Sequence, residues 1–256
     1  MRWVSRLVRL PLDDYLEALD RFLRALRLRY AMLLALSFAV SWWVYVPVHE
    51  LAHALGCWLG GGEVTRLEID PAYGAALLRR VFPFVAIGSD YAGQLTGFDT
   101  RGSDLTYLLT DFLPFVLTIF LGVPLLRSAA APRSGAGQAL RFGAALPLAC
   151  APFVSLPGDY YEMGSILVSR LVALCSPAFD PARWRSDDLF ELSARLFGFA
   201  GGGTAGDAAG LCLSFVAGAA LAFATYGAGV AWSRALESHR RRAPATTARP
   251  SSARTR

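Results

Sequence analysis

Val46-Pro47-Val48-His49-Glu50-Leu51-Ala52-His53-Ala54-Leu55-Gly56 sets a His-Glu-x-x-His pattern inside an apolar run. On a helix, His49 and His53 stand one turn apart on one face, so both imidazoles can reach a single metal ion. Glu50 is displaced from that face but close enough to hold a water on the metal. Two His ligands with a Glu as general base is the arrangement of a zinc metalloprotease. The chain has only three histidines, and two of them are here. Buried His and Glu in such apolar company are costly unless paired or ligated, which argues against a merely structural pair.

The surrounding composition says where such a site would sit. Of the 256 residues, 54% are hydrophobic, and the mean hydropathy is +0.40. That is too apolar for an ordinary soluble domain and indicates a multi-span membrane protein. The net charge is +5, and every basic side chain is Arg. The lipid bilayer is the expected surrounding, with no nucleic-acid partner; the compartment expected is a bacterial inner membrane. Cys57, Cys150, Cys175 and Cys212 lie in apolar segments at irregular spacing and read as small core residues, not as a disulfide set. No cleavable signal peptide is expected, because the first apolar run starts near residue 30 and is too long for one.

Outward from the motif, residues 31–60 form a first long apolar segment, in which Pro47 introduces a kink or a new start. Trp42, Trp43 and Tyr45 fit an aromatic belt or packing equally. Upstream, residues 1–30 are Arg-rich. Leu16, Leu19, Leu23 and Leu26 recur at helical spacing after a start signal at Pro11, giving a cytoplasmic amphipathic segment. Downstream, Gly60-Gly61-Gly62 stops the helix. Glu63 to Ile69 alternates as a strand, 70–74 is a turn, and 75–87 is a return strand or a short membrane-dipping piece. Residues 88–104 read as loop. Further spans are expected at 105–126, 142–156, 163–175 and 208–232, with a weak helical patch at 188–199. The tail 234–256 reads as basic and disordered, and His239 within it is not counted as a ligand.

The expected fold is therefore an all-α polytopic membrane protein. It has about five to six membrane helices and a short β-hairpin-like insertion after the first, the membrane domain covering 31–233. Arg-rich ends and an Arg-rich 127–141 loop put both termini in the cytoplasm by the positive-inside rule. Five crossings cannot do that, so either the 188–199 patch helps make a sixth or one segment only dips in.

A catalytic zinc takes a third protein ligand and keeps one position for water. Cys57 is two turns from His49, roughly 12 Å along the axis, and drops out. The remaining candidates are carboxylates in membrane segments: Asp159, Glu162 and Asp111. The motif, Asp111 and the Pro157-Gly158-Asp159 break all fall in one leaflet. A helix break there needs protein around it to satisfy the freed backbone, and a carboxylate at such a break is a functional candidate. Asp159 is favoured, with Glu162 and Asp111 as alternatives. Asp111 could also orient His49 or His53.

The run His49-Glu50-Leu51-Ala52-His53-Ala54-Leu55, followed by Gly60-Gly61-Gly62 and the extended Val64 to Ile69, resembles the site-2 protease family of intramembrane zinc metalloproteases. That family takes its third ligand from an Asp near a Pro-rich helix break, where its pattern is Asn, then Pro, then Leu-Asp-Gly. Pro152, Leu156 and Asp159 echo that pattern loosely, with Gly158 before the Asp and no Asn. The resemblance implies zinc held by His49, His53 and Asp159, Glu50 as base, and a membrane protein or peptide as substrate. The rival expectation is a non-catalytic membrane protein with a structural or regulatory zinc site, which would need four protein ligands.

Overall fold

The helix that carries the motif, α2, runs unbroken from Leu28 to Leu59 and passes straight through Pro47. The computed structural model describes residues 2–131, 134–199 and 201–242. Before α2 comes α1 (Arg2–Arg24), and Pro11 lies inside that helix, not at its start. Its leucines Leu12, Leu16 and Leu23 are exposed on one side. The opposite side, through Ala18 and Phe22, packs into a core with Leu126, Phe142 and Tyr226. Arg127 Nη1 donates to Asp14 Oδ1 at 2.7 Å, and the Tyr226 hydroxyl donates to Asp14 Oδ2 at 3.0 Å, fixing α1 to the bundle. Burial pushes the Asp14 carboxyl above its ordinary pKa despite Arg127 beside it.

After Gly60 the chain turns back along α2. Strand β1 (Glu63–Ile69) covers roughly 23 Å, nearly the roughly 24 Å of helix from Leu59 back to Trp43. Its far end is pinned there: Trp43 Nε1 donates to the Ala72 carbonyl at 2.7 Å, and Trp42 Nε1 to the Tyr73 hydroxyl at 3.0 Å. The two tryptophans thus act as packing and anchoring residues. The insertion is not a hairpin. A short helix, α3 (Ala75–Val81), precedes β2 (Val85–Ile87), and β2 lies parallel to β1. Ala, Leu and Arg at 75–80 favour helix, and the helical crossover lets β2 enter in the parallel sense. The expected loop at 88–104 contains a third strand, β3 (Gly93–Asp99), antiparallel to β1, so the sheet order is β2-β1-β3.

Four helical stretches among the described residues are long and apolar enough to cross a membrane: Leu28–Leu59, Asp104–Ala129, Gly135–Cys175 and Ala205–His239. The second is built from α4 (Asp104–Phe112), a 3-10 turn at Pro114, a π-helical turn at Thr118–Gly122 and α5 (Val123–Ala129). The third comprises α6 (Gly135–Val154) and α7 (Asp159–Cys175), broken at 155–158. The fourth is α9 (Ala205–Arg242).

The expected five to six helices become four because α6 and α7 point the same way. Ser37 and Ser41 of α2 donate to the carbonyls of Leu140 and Ala144, so α2 and α6 run parallel. Traced from its C-terminal end, α9 first meets Phe153 through Tyr226, then Tyr160 through Thr225, then Gly164 through Ser214. It therefore passes up α6 and then up α7. The Pro157-Gly158 break reads in sequence as a connection between spans, whereas it interrupts one. The 188–199 patch forms α8 (Leu189–Phe197), whose nine residues reach roughly 14 Å and cannot cross a bilayer. At the other end α9 continues to Arg242, so the part of the expected disordered tail up to that residue is helical, as Arg234, Ala235, Leu236 and Glu237 favour. Residues 243–256 lie outside those described.

Of the four cysteines, Cys57 is buried, while Cys175 and Cys212 are exposed at helix surfaces and are not core residues.

Candidate metal centre

His49 and His53 are both buried, and their Nε2 atoms face each other at 3.2 Å. Asp159, the first residue of α7, brings Oδ2 to 3.6 Å from His49 Nε2 and Oδ1 to 3.7 Å from His53 Nε2. Two donors of a tetrahedral zinc at the usual bond lengths stand roughly 3.3 Å apart, so these three atoms have the spacing of one coordination shell.

The remaining ring nitrogens are fixed from behind. His53 Nδ1 lies 2.9 Å from the Thr110 carbonyl oxygen, which can only accept, so Nδ1 carries the proton and Nε2 presents a lone pair. His49 Nδ1 lies 2.7 Å from the Tyr45 hydroxyl, which can accept in the same sense. Two lone pairs and a carboxylate then converge on one point, an arrangement that a cation relieves. Asp159 gets further support from its place in the first turn of α7, where free backbone N–H groups and the helix dipole favour an anion.

The local folding follows from sequence. Gly56, one turn beyond His53, lets α2 and α4 touch: a Cβ there would collide with the Leu109 carbonyl. That contact carries the neighbouring Thr110 carbonyl to His53. The break before Asp159 is satisfied inside the protein, since Leu189 N–H donates to the Pro157 carbonyl at 2.9 Å. Below the histidines, Phe115, Tyr160 and Tyr45 pack as an apolar floor.

Glu50 does not belong to the trio. It lines the cavity that His53 and Asp159 share, and its side chain lies against Gly93 of β3.

The other two candidate carboxylates stand elsewhere in that cavity. Glu162 Oε1 accepts from the Tyr107 hydroxyl at 2.6 Å. Asp111 is buried with Oδ2 unbonded, and it orients neither histidine; Tyr45 and Thr110 do that. Sequence reasoning missed both. Tyr45, one turn before His49, carried a signal in its spacing, but a backbone carbonyl leaves none. Cys57 is turned away, its thiol directed at the Glu63 and Asp99 carbonyls. Among the described residues, His49, His53 and Asp159 are the one group of three or more such side chains within metal-binding distance.

No family model, no curated protein and no solved structure matches the chain.

Proposed function

We infer that the protein is a membrane-embedded zinc metallopeptidase that hydrolyses peptide bonds in or near the bilayer. The observation that carries this is the convergence of His49 Nε2, His53 Nε2 and the Asp159 carboxylate, with the outer nitrogens held by Tyr45 and Thr110. These residues would hold the ion and leave a fourth position for water. When bound, zinc polarises the scissile carbonyl and lowers the pKa of its water to about 7.

The chain's own residues supply the rest. Glu50 accepts the water proton and passes it to the leaving amine. Asp159 and the two imidazoles, each held from behind at Nδ1, would keep the metal side rigid through that transfer. The cavity beside Glu50 admits water to a region that lipid would otherwise keep dry. The resemblance to site-2 proteases agrees with this assignment. A structural zinc would need a fourth protein donor, and three converge among the described residues.

If each of the four candidate spans crosses once, α1 and the C-terminal end of α9 fall on one side. That agrees with the Arg-rich N-terminal segment and C-terminal end facing the cytoplasm. The test is zinc content and proteolysis of the purified chain. Glu50→Gln should keep about one zinc per chain and lose peptidase activity; unchanged proteolysis in that variant would sink the reading.

A further inference from the structure

Beside the three ligands lies a cavity of about 230 Å³ lined by α2, β3, α4, α7, the segment before α8 and the first turn of α8. Its charged lining is one-sided. Asp111 and Glu162 sit in its wall, Asp187, Asp188 and Glu191 line it further on, and no Arg among the described residues does. Asp111 is 4% exposed and Glu162 5%. Glu162 has Tyr107 as donor, and Asp187 has Gln94 at 2.8 Å. Asp111 Oδ2 has no partner.

Arg185 donates Nη1 to Asp104 and Nε to Ser169. Its Nη2 is unpartnered, but Arg185 does not line the cavity. As anions, buried carboxyls without a compensating cation are costly, and a positive group that arrives from outside would offset that cost. A compact metal ion does not suit it, because among the described residues these carboxylates form no group of three within metal-binding distance. A long side chain with a cationic tip does.

A second cavity, of about 380 Å³ and mostly apolar, is lined by His49 and walled by Phe38, Trp42, Leu146 and Val154. Glu50 lines both cavities. A peptide lying across Glu50 would have apolar surroundings on one side and anionic surroundings on the other.

We propose that the acidic cavity is a specificity pocket for a Lys or Arg side chain next to the cleaved bond, with Asp111 and Glu162 as its anionic end. The substrate is then a chain in which an apolar stretch meets a basic residue, the sequence found where a membrane helix reaches its headgroup boundary. This rests on the peptidase reading and names its substrate class.

The test uses the full-length, zinc-loaded chain carrying Glu50→Gln, so that bound peptide is not cut. Labelled peptides share one apolar segment followed by Lys, Arg, Leu or Glu. The Lys and Arg peptides should bind at least about tenfold more tightly than the Leu peptide, and the Glu peptide more weakly still. Adding Asp111→Asn or Glu162→Gln should reduce that preference to about threefold or less, with zinc content unchanged. With no change at the acidic wall, n-pentylamine should displace the Lys peptide and n-pentanol should not. Equal binding of Lys and Leu peptides overturns the proposal. So does a preference that survives both substitutions, or a second zinc per chain that disappears with Asp111→Asn. A wild-type chain that holds zinc and cuts no peptide, while the charge preference holds, removes the peptidase reading alone and leaves the pocket standing.

Discussion

Gly93 and Glu50 are in contact across the sheet–helix boundary: a Cβ on residue 93 would lie 2.5 Å from Glu50 Cγ and 2.9 Å from its Cδ. The strand thus sets the position of the general base proposed for this site. Gly93→Ala should displace that carboxylate and lower kcat by about a hundredfold, the cost of roughly 1 Å of misplacement. Zinc content, measured in parallel, should stay near wild type because no ligand is touched. Wild-type kcat in this variant would mean that Glu50 is not positioned by β3.

Tyr45→Phe removes the hydroxyl behind His49 Nδ1. The ring then loses its fixed orientation, and zinc affinity should fall by about 10- to 100-fold. Competition with a graded series of chelators would read this directly. An unchanged affinity would show that α2 alone holds the imidazole.

Gly56→Ala should push α2 off α4 at the Leu109 carbonyl and carry the Thr110 carbonyl away from His53. Both thermal stability and bound zinc should drop together, the stability by about 1–3 kcal/mol as for other overpacked contacts. Loss of stability with zinc binding intact would separate this contact from the metal centre.

Arg127→Ala would leave Asp14 enclosed with the Tyr226 hydroxyl but no cation. The expected cost is about 3 kcal/mol near neutral pH. Because burial already raises the Asp14 pKa above its unfolded value, the folded state holds that proton more tightly. The variant should therefore regain stability as pH falls toward the carboxylate range, and lose it as pH rises through the raised value. Melting curves between about pH 4 and 8 would check the sign; a variant that weakens further on acidification would contradict it.

The sequence was most legible where one local pattern sufficed. Glu63 to Ile69 alternates except at Thr65-Arg66 and forms β1 with those bounds, and His-Glu-x-x-His needs only helical spacing to align its ligands. Asp159 could be reached by depth bookkeeping, and the structure does bring it to the two histidines. Harder to read were features that depend on distant partners. Gly93 and Gly97 weaken the strand signal of 93–99, and β1 supplies the pairing that sequence cannot display. The direction of α7 relative to α6 rests on Thr225 and Ser214 of α9, 65 and 50 residues from the α7 positions they meet. Helix breakers mark where a helix stops but not whether the chain then turns around.

The path of α6 into α7 has a mechanical consequence. The histidines belong to α2, which packs chiefly on α6, while Asp159 opens α7, which packs chiefly on α9. An ion shared by His49, His53 and Asp159 would act as a clasp between these two helix pairs, whose direct link in the chain is the short segment at 155–158. Its hold on the fold grows with occupancy, reaching about 4 kcal/mol at a thousand times the dissociation constant. Stripping zinc should then loosen the seam between α2 and α7 first. Hydrogen exchange would rise at the start of α7 before it rises where α2 meets α6, so that one bond set governs both the chemistry and the cohesion of the bundle.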